Sequence, residues 1–266
     1  MNIIDATALV IAKAPIAGFA KTRLSPPFSP REAAQLAAAA LLDTLTAVRH
    51  SGIRHRIVAW TGELEHAEHA DELSAALADF ELVPQRGATF GQRLANAHAD
   101  AARAGLPVLQ IGMDTPHAAP ALLAMCAARL LACGDTVLGP AADGGWWALG
   151  LTDPRPARAL TQVPMSTSAT GELTHRAMAR CGCCVHRLPM LRDVDTVTDA
   201  VTVAAQYEGR FPRALERLHP IRVRVGAGPR RGDDIAGKRT NRGKAEVSEP
   251  VDRDPMPSRS DRRVTR

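Results

Sequence analysis

The sequence predicts an α/β fold, a three-layer αβα sandwich around a mostly parallel sheet, and three observations carry that expectation. Apolar β-type runs alternate with alanine-rich helical stretches along the chain, as in a parallel sheet covered on both faces. The composition, 45% hydrophobic and only 3% aromatic over 266 residues, suits one sizeable domain with a core of Ala, Leu and Val. Polar and glycine-rich segments fall just after the apolar runs, where open α/β sheets bind ligands.

The elements follow in order. TALVIA (7–12) reads as the first strand, and Ser29 with Pro30 marks the N-cap and first turn of a helix reaching about Arg49. HRIVAW (55–60) is the second strand, followed by a helix through Leu77 and a short strand, FELVP (80–84). A helix from about Gly91 to Arg103 precedes LPVLQIG (106–112), a central strand. AAPALLAMCAARLLA (118–132) is helical, DTVLGP (135–140) and GWWALGL (145–151) are strands, and TGELTHRAMARC (170–181) is a helix. CVHRL (184–188) is a strand, and TVTDAVTVAAQ (196–206) is a helix with Thr196 near its N-cap. No internal repeat is present.

Charge separates the chain into two parts. Residues 1–220 carry 20 Lys/Arg against 21 Asp/Glu, whereas residues 221–266 carry 13 against 7, so the net +5 resides in the tail. The body is expected to be the folded domain, and the tail, rich in Arg, Gly, Asp, Pro and Ser, is expected to be disordered. It lacks the interleaved aromatics that stack on bases, which argues against nucleic acid as the partner. No apolar run is long enough to span a bilayer and no secretory leader is visible, so the expected location is the cytoplasm. Five cysteines, three of them crowded in CGCC (Cys181, Cys183, Cys184), suit a reduced compartment better than a disulfide framework. His66 and His69, flanked by Glu65 and Glu68, read as a solvated helix face.

The loop after the first strand carries Lys13, Gly18, Lys21, Thr22 and Arg23, and no acidic residue lies between Asp5 and Glu32. Cations gathered at a strand end without a local counter-charge point to an anionic ligand. Two familiar phosphate motifs do not fit: Ala20 stands where a Walker A loop needs glycine, and one glycine stands where a dinucleotide fingerprint needs three. Two further segments supply the opposite charge. IGMDTP (111–116) puts Asp114 just past an apolar strand, with Gly112 permitting close approach, which suits a hard divalent ion bridging to phosphate oxygens. In GPAADGGWWALG (139–150), Asp143 precedes a tight Gly144-Gly145 turn, and Trp146 and Trp147 must point to opposite faces of a strand, so at most one can line a cleft. DVDTVTD (193–199) adds Asp193, Asp195 and Asp199, the last suited to the first turn of the helix that follows.

The segments KAPIAGFAKTRL, FGQRLANA, IGMDTP, LGPAADGGWWALGL, STS and DVDTVTDA occur in this order over about residues 6–206. In that combination the chain resembles the DUF2064 glycosyltransferase-like family, with its GT-A type nucleotide-diphospho-sugar transferase fold. The resemblance implies that Ala12, Lys13, Gly18, Lys21, Thr22, Arg23, Gly91, Arg93 and Gly112 surround the nucleotide. It further implies that Asp143, Gly144, Gly145 and Trp146 meet the sugar or acceptor, and that Asp114, with Asp195, holds Mg²⁺ or Mn²⁺. Lys21, Arg23 and Asp143 would then carry the chemistry. Met113, Thr115, Met165 and the Trp pair depart from the usual family residues, which bears on acceptor preference.

The expected activity is metal-dependent glycosyl transfer from a nucleoside-diphosphate sugar to a small-molecule acceptor. The alternative is nucleotidylyl transfer from an NTP to a small phosphorylated metabolite, a reaction run on the same fold by guanylyltransferases. The sugar, the base, the acceptor, the stereochemistry and the oligomeric state stay open.

Overall fold

The computed structural model describes residues 3–218. The tail at 221–266, and the expectation attached to it, lies outside the described residues. The strands are β1 (Ile4–Lys13), β2 (Ile53–Thr61), β3 (Glu81–Pro84), β4 (Val108–Gly112), β5 (Thr136–Pro140), β6 (Trp146–Leu151) and β7 (Val185–Arg187). The helices are α1 (Pro30–Arg49), α2 (Ala70–Leu77), α3 (Phe90–Ala101), α4 (Pro120–Cys133), α5 (Thr170–Arg180), α6 (Val197–Ala204) and α7 (Arg210–Leu218), with a longer 3-10 segment at Arg155–Gln162.

Local sequence explains where the helices begin. Capping boxes pair Ser29 with Glu32 ahead of α1, Thr89 with Gln92 ahead of α3, and Thr196 with Asp199 ahead of α6; each satisfies backbone N–H groups that have no partner within the helix. Asp199 also holds Arg192 at 2.9 Å.

The seven strands run in the order β3-β2-β1-β4-β6-β5-β7. All pairs are parallel except those of β6, which is antiparallel to both β4 and β5. Along β1 the side chains alternate between two cores. Ala6, Ala8, Val10 and Ala12 pack under α1, α2 and α4, while Leu9 and Ile11 face α3, α5 and the 155–162 segment. The result is a three-layer α/β sandwich, and the carboxyl ends of β1 and β4 lie side by side, with Ile11 opposite Gly112.

Two sequence expectations need correction. Residues 62–69, taken as part of the helix ending at Leu77, form instead a 3-10 turn at Leu64–His66 and a left-handed His69 ahead of α2. The helix α7 was not foreseen. It buries Phe211, Ala214 and Leu215 in a third core with α1 and α6, and it starts where the Asp43 carboxylate of α1 accepts the Arg210 and Phe211 amides at 2.9 Å each. No helix among the described residues is long and apolar enough to cross a membrane.

Candidate active site

A cavity of about 800 Å³ opens at the carboxyl ends of β1 and β4, a size that suits a nucleotide-sized ligand. One wall is the loop after β1. Ala14 to Ala20 fold back on themselves through Phe19 N and Ala20 N, both donating to Ile16 O, and Gly18 supplies the positive φ of 76° that the turn requires. Lys21 also has a left-handed backbone (φ 52°), uncommon for a residue with a Cβ, and its side chain, 8% exposed, runs into the crest.

There the Lys21 Nζ lies 2.8 Å from Asp114 Oδ1 and 3.1 Å from Asp195 Oδ1, and it donates to the Val194 carbonyl. Burial alone would lower the basicity of this ammonium, but the Asp114 and Asp195 carboxylates outweigh it and hold the Lys21 pKa above the ordinary lysine value. Arg23, largely exposed, reaches the other oxygen of Asp195 at 3.4 Å. Asp114 follows β4, and its own carbonyl accepts the Val194 amide at 2.9 Å, so the late Asp193–Asp195 segment is stitched directly to the Asp114 loop.

The opposite wall is the turn between β5 and β6. The Asp143 Oδ1 accepts the Gly145 amide at 2.8 Å, and the residue lines the cavity. Trp146 lines the cavity and donates from Nε1 to Thr174 Oγ1 at 3.0 Å. Trp147 also borders the cavity, contrary to the expectation that only one of the pair would, but its side chain packs into the other core, 2% exposed, with its Nε1 on the Pro189 carbonyl. Ser166 to Ser168 complete this side.

The structure brings Ala12, Lys13, Lys21, Thr22, Arg23 and Arg93 into the cavity lining, and likewise Gly112, Asp114, Asp143, Gly145, Trp146 and Asp195. Ala12 takes part through its carbonyl, which receives the Gln85 amide at 2.8 Å. Lys13 donates to the Phe19 carbonyl at 2.6 Å; burial lowers its pKa, and Asp114 only partly compensates. Three glycines expected at the ligand, Gly18, Gly91 and Gly144, are not among the residues that line the cavity. A Cβ on Gly91 would sit 2.2 Å from the Leu160 carbonyl oxygen, and one on Gly144 would sit 2.0 Å from that of Ser168, so these glycines permit close packing. Gly18 shapes the turn without lining the cavity.

Asp193 is the residue that sequence reasoning passed over in favour of Asp195. Its Oδ1 is buried and has no hydrogen-bond partner among the described residues. Burial first, then the Asp114 and Asp143 charges, raise its pKa to about 7. A signal was available: in extended chain, residues two apart share a face, and Val194 between them is 1% exposed, part of the core. If Asp195 faces the cleft, Asp193 does too.

Two other clusters resolve without chemistry. His66 pairs with Glu63 and His69 with Glu72, both on the surface. Cys181, Cys183 and Cys184 are free thiols, and among the described residues no three His, Cys, Asp or Glu side chains converge on a metal position. A divalent ion at the crest would therefore take Asp114 and Asp195 together with oxygens of its ligand. That donor set suits Mg²⁺ or Mn²⁺ carried by phosphate, for which one or two carboxylates suffice.

Comparison with known proteins agrees with this architecture. The family model of DUF2064, described as an uncharacterized protein conserved in bacteria, matches residues 44–167, a stretch that contains Asp114 and Asp143 but neither the first loop nor Asp195. No curated protein matches the chain. Among solved structures, a candidate nucleotide-diphospho-sugar transferase from Desulfovibrio desulfuricans G20 superposes with a TM-score of 0.71 at 23% identity, covering 84% of this chain and 98% of that one. A cytidylyltransferase from Leptospira borgpetersenii serovar Hardjo-bovis (strain JB197) gives 0.51 at 11% identity, covering 85% and 100%. The chain is thus similar to the DUF2064 family and has the α/β fold of nucleotide-sugar transferases and nucleotidyltransferases.

Proposed function

We propose that this chain, which resembles the DUF2064 family, is a cytoplasmic transferase that moves a glycosyl group from a nucleoside-diphosphate sugar to a small-molecule acceptor. The observation that supports the reading best is the crest itself. Lys21 and Arg23 confront Asp114 and Asp195 at the mouth of a cavity of about 800 Å³, with Asp143 and Trp146 on the far wall.

The roles follow from charge and position. Lys21 and Arg23 would hold the diphosphate and stabilise the negative charge that builds on it as the glycosyl bond breaks, with Lys13 and Arg93 beside the nucleotide. Asp114 and Asp195 would hold the divalent ion, which when bound adds Lewis-acid charge at the leaving diphosphate. Asp143, fixed by the Gly145 amide, would orient the acceptor hydroxyl and take its proton. Trp146 would offer an apolar face to the sugar.

One feature favours nucleotidylyl transfer as the second reading. The Arg93 Nε is buried in the lining without a partner among the described residues, so with Lys13 two cations beyond Lys21 and Arg23 are at hand, enough for a triphosphate. Thermal-shift measurements with UDP-, GDP-, ADP- and dTDP-sugars and with NTPs, each with and without Mn²⁺, test the proposal. A binder stabilises the fold in proportion to the logarithm of its concentration over its Kd. Glycosyl transfer requires a sugar nucleotide to give the largest shift and a nucleoside diphosphate to be released; a larger NTP shift with pyrophosphate release would replace it by the second reading.

A further inference from the structure

The crest holds a cation of its own. Lys21 Nζ, at 2.8 Å from Asp114 Oδ1 and 3.1 Å from Asp195 Oδ1, bridges the two carboxylates assigned above to a divalent ion. An ammonium and a divalent ion cannot share the same pair of oxygens at contact distance, because the like charges would repel across a partly dehydrated site. Arg23 is differently placed. It touches only the outer oxygen of Asp195, at 3.4 Å, and is 68% exposed, so it need not move when an ion enters.

We propose that Lys21 is an exchangeable placeholder: in the free protein it occupies the cation seat between Asp114 and Asp195, and it gives up that seat only when a diphosphate arrives to receive its ammonium. This inference rests on the transferase reading given above. The physical basis is a balance of partners. Without phosphate, the lysine leaving its seat would lose two carboxylates and the Val194 carbonyl and gain only water. With a diphosphate present it regains charge-assisted hydrogen bonds to phosphate oxygens, and the vacated carboxylates become available to the ion. Metal and diphosphate then bind cooperatively, each raising the affinity for the other by the same factor. The lone metal binds poorly, which keeps the site from filling before its substrate.

The consequence is measurable without turnover. Mn²⁺ alone, with no nucleotide, is titrated into the full-length protein and followed by calorimetry or by the paramagnetic resonance of free Mn²⁺. The wild type, Lys21→Met and Arg23→Met are compared. Both substitutions remove one positive charge near Asp195, and the exposed Arg23 sets the scale of a solvent-screened charge effect that needs no vacated seat. Release of the seat should instead raise it by about tenfold or more in Lys21→Met and by less than about threefold in Arg23→Met. Equal gains in the two variants, or no gain in Lys21→Met, would overturn the placeholder. Should the Met variant fail to fold, Lys21→Ala, which leaves no polar group between Asp114 and Asp195, carries the same expectation. Thermal shifts of the wild type with sugar nucleotides are recorded in parallel. If they are present while Lys21→Met gains nothing, the placeholder fails alone; if neither sugar nucleotides nor NTPs shift the wild type, the transferase reading fails and takes the placeholder with it.

Discussion

Asp43 Oδ2 accepts the backbone amide of Phe211 at 2.9 Å from a position 168 residues away. The same carboxylate takes the Arg210 amide and the Tyr207 hydroxyl, so α1 caps the start of α7 with a side chain that is only 9% exposed. Asp43→Ala strands these donors in a buried place, and a loss of about 2–4 kcal/mol is expected from the unsatisfied groups. Chemical denaturation measures it, and limited proteolysis should then cut within 210–218. An unchanged midpoint would mean that α7 is held by its apolar contacts alone.

Gly91→Ala tests whether that glycine serves packing or the nucleotide. The added methyl meets the Leu160 carbonyl oxygen at 2.2 Å, so α3 must move off the 155–162 segment at a cost of roughly 1–3 kcal/mol. Thermal unfolding should shift down while nucleotide affinity of the folded protein holds. The reverse pattern would place Gly91 at the ligand.

Asp114→Asn removes a charge without removing volume. Lys21 keeps Asp195 and the Val194 carbonyl, so the fold should persist by circular dichroism. Activity should drop about a hundredfold, and the additional stabilisation that Mn²⁺ gives to the ligand complex should vanish. Metal-dependent turnover at the wild-type rate would remove Asp114 from the ion.

Asp143→Asn keeps an oxygen for the Gly145 amide and so preserves the turn while removing the proposed base. The expected effect is a fall of about a hundredfold in kcat with KM little changed, seen in steady-state kinetics once donor and acceptor are known. A change confined to KM would assign Asp143 to binding only.

His98 sets a pH dependence of stability. The ring is fully buried on α3, among the described residues no well-formed hydrogen bond reaches either nitrogen, and burial pushes its pKa down to about 4, the Gln110 side chain offsetting only a little. The unfolded chain titrates at the ordinary histidine value, about 6.5. Above that pH both states are neutral and His98 contributes nothing. As pH falls from about 6.5 to 4 the unfolded state takes up a proton that the folded state refuses, and stability drops by something on the order of 3 kcal/mol. Denaturation midpoints measured across this window should decline less steeply in His98→Leu than in the wild type; parallel curves would show that the ring finds a way to protonate in place.

Most strands and the strong helices were legible because their signals are local. Ser29-Pro30 and Thr196 announce α1 and α6 through groups within one turn, and the β1 pattern encodes burial on both faces. What stayed hidden depends on distant partners. In α7 the spacing of Phe211, Ala214, Leu215 and Leu218 is helical, but the charged residues between them mask it, and its cap comes from α1. Gly91 and Gly144 looked like ligand glycines because close approach to a phosphate and close approach to another backbone leave the same mark in a sequence. Asp114, Asp143 and Asp195 could be singled out as strand-end acids, yet the lysine that bridges two of them at the crest is a property of three-dimensional placement alone.

The reversal of β6 has a further meaning for how such a cleft can diversify. Since β6 returns antiparallel beside β5, the segment 141–145 enters and leaves at the same rim, a short hairpin tip free of any crossover. Swapping that tip, or lengthening it, would remodel the wall bearing Asp143 while β1 and β4 continue to present Lys21 and Asp114 unaltered, so under the proposed transfer reaction the acceptor side could change without rebuilding the donor side.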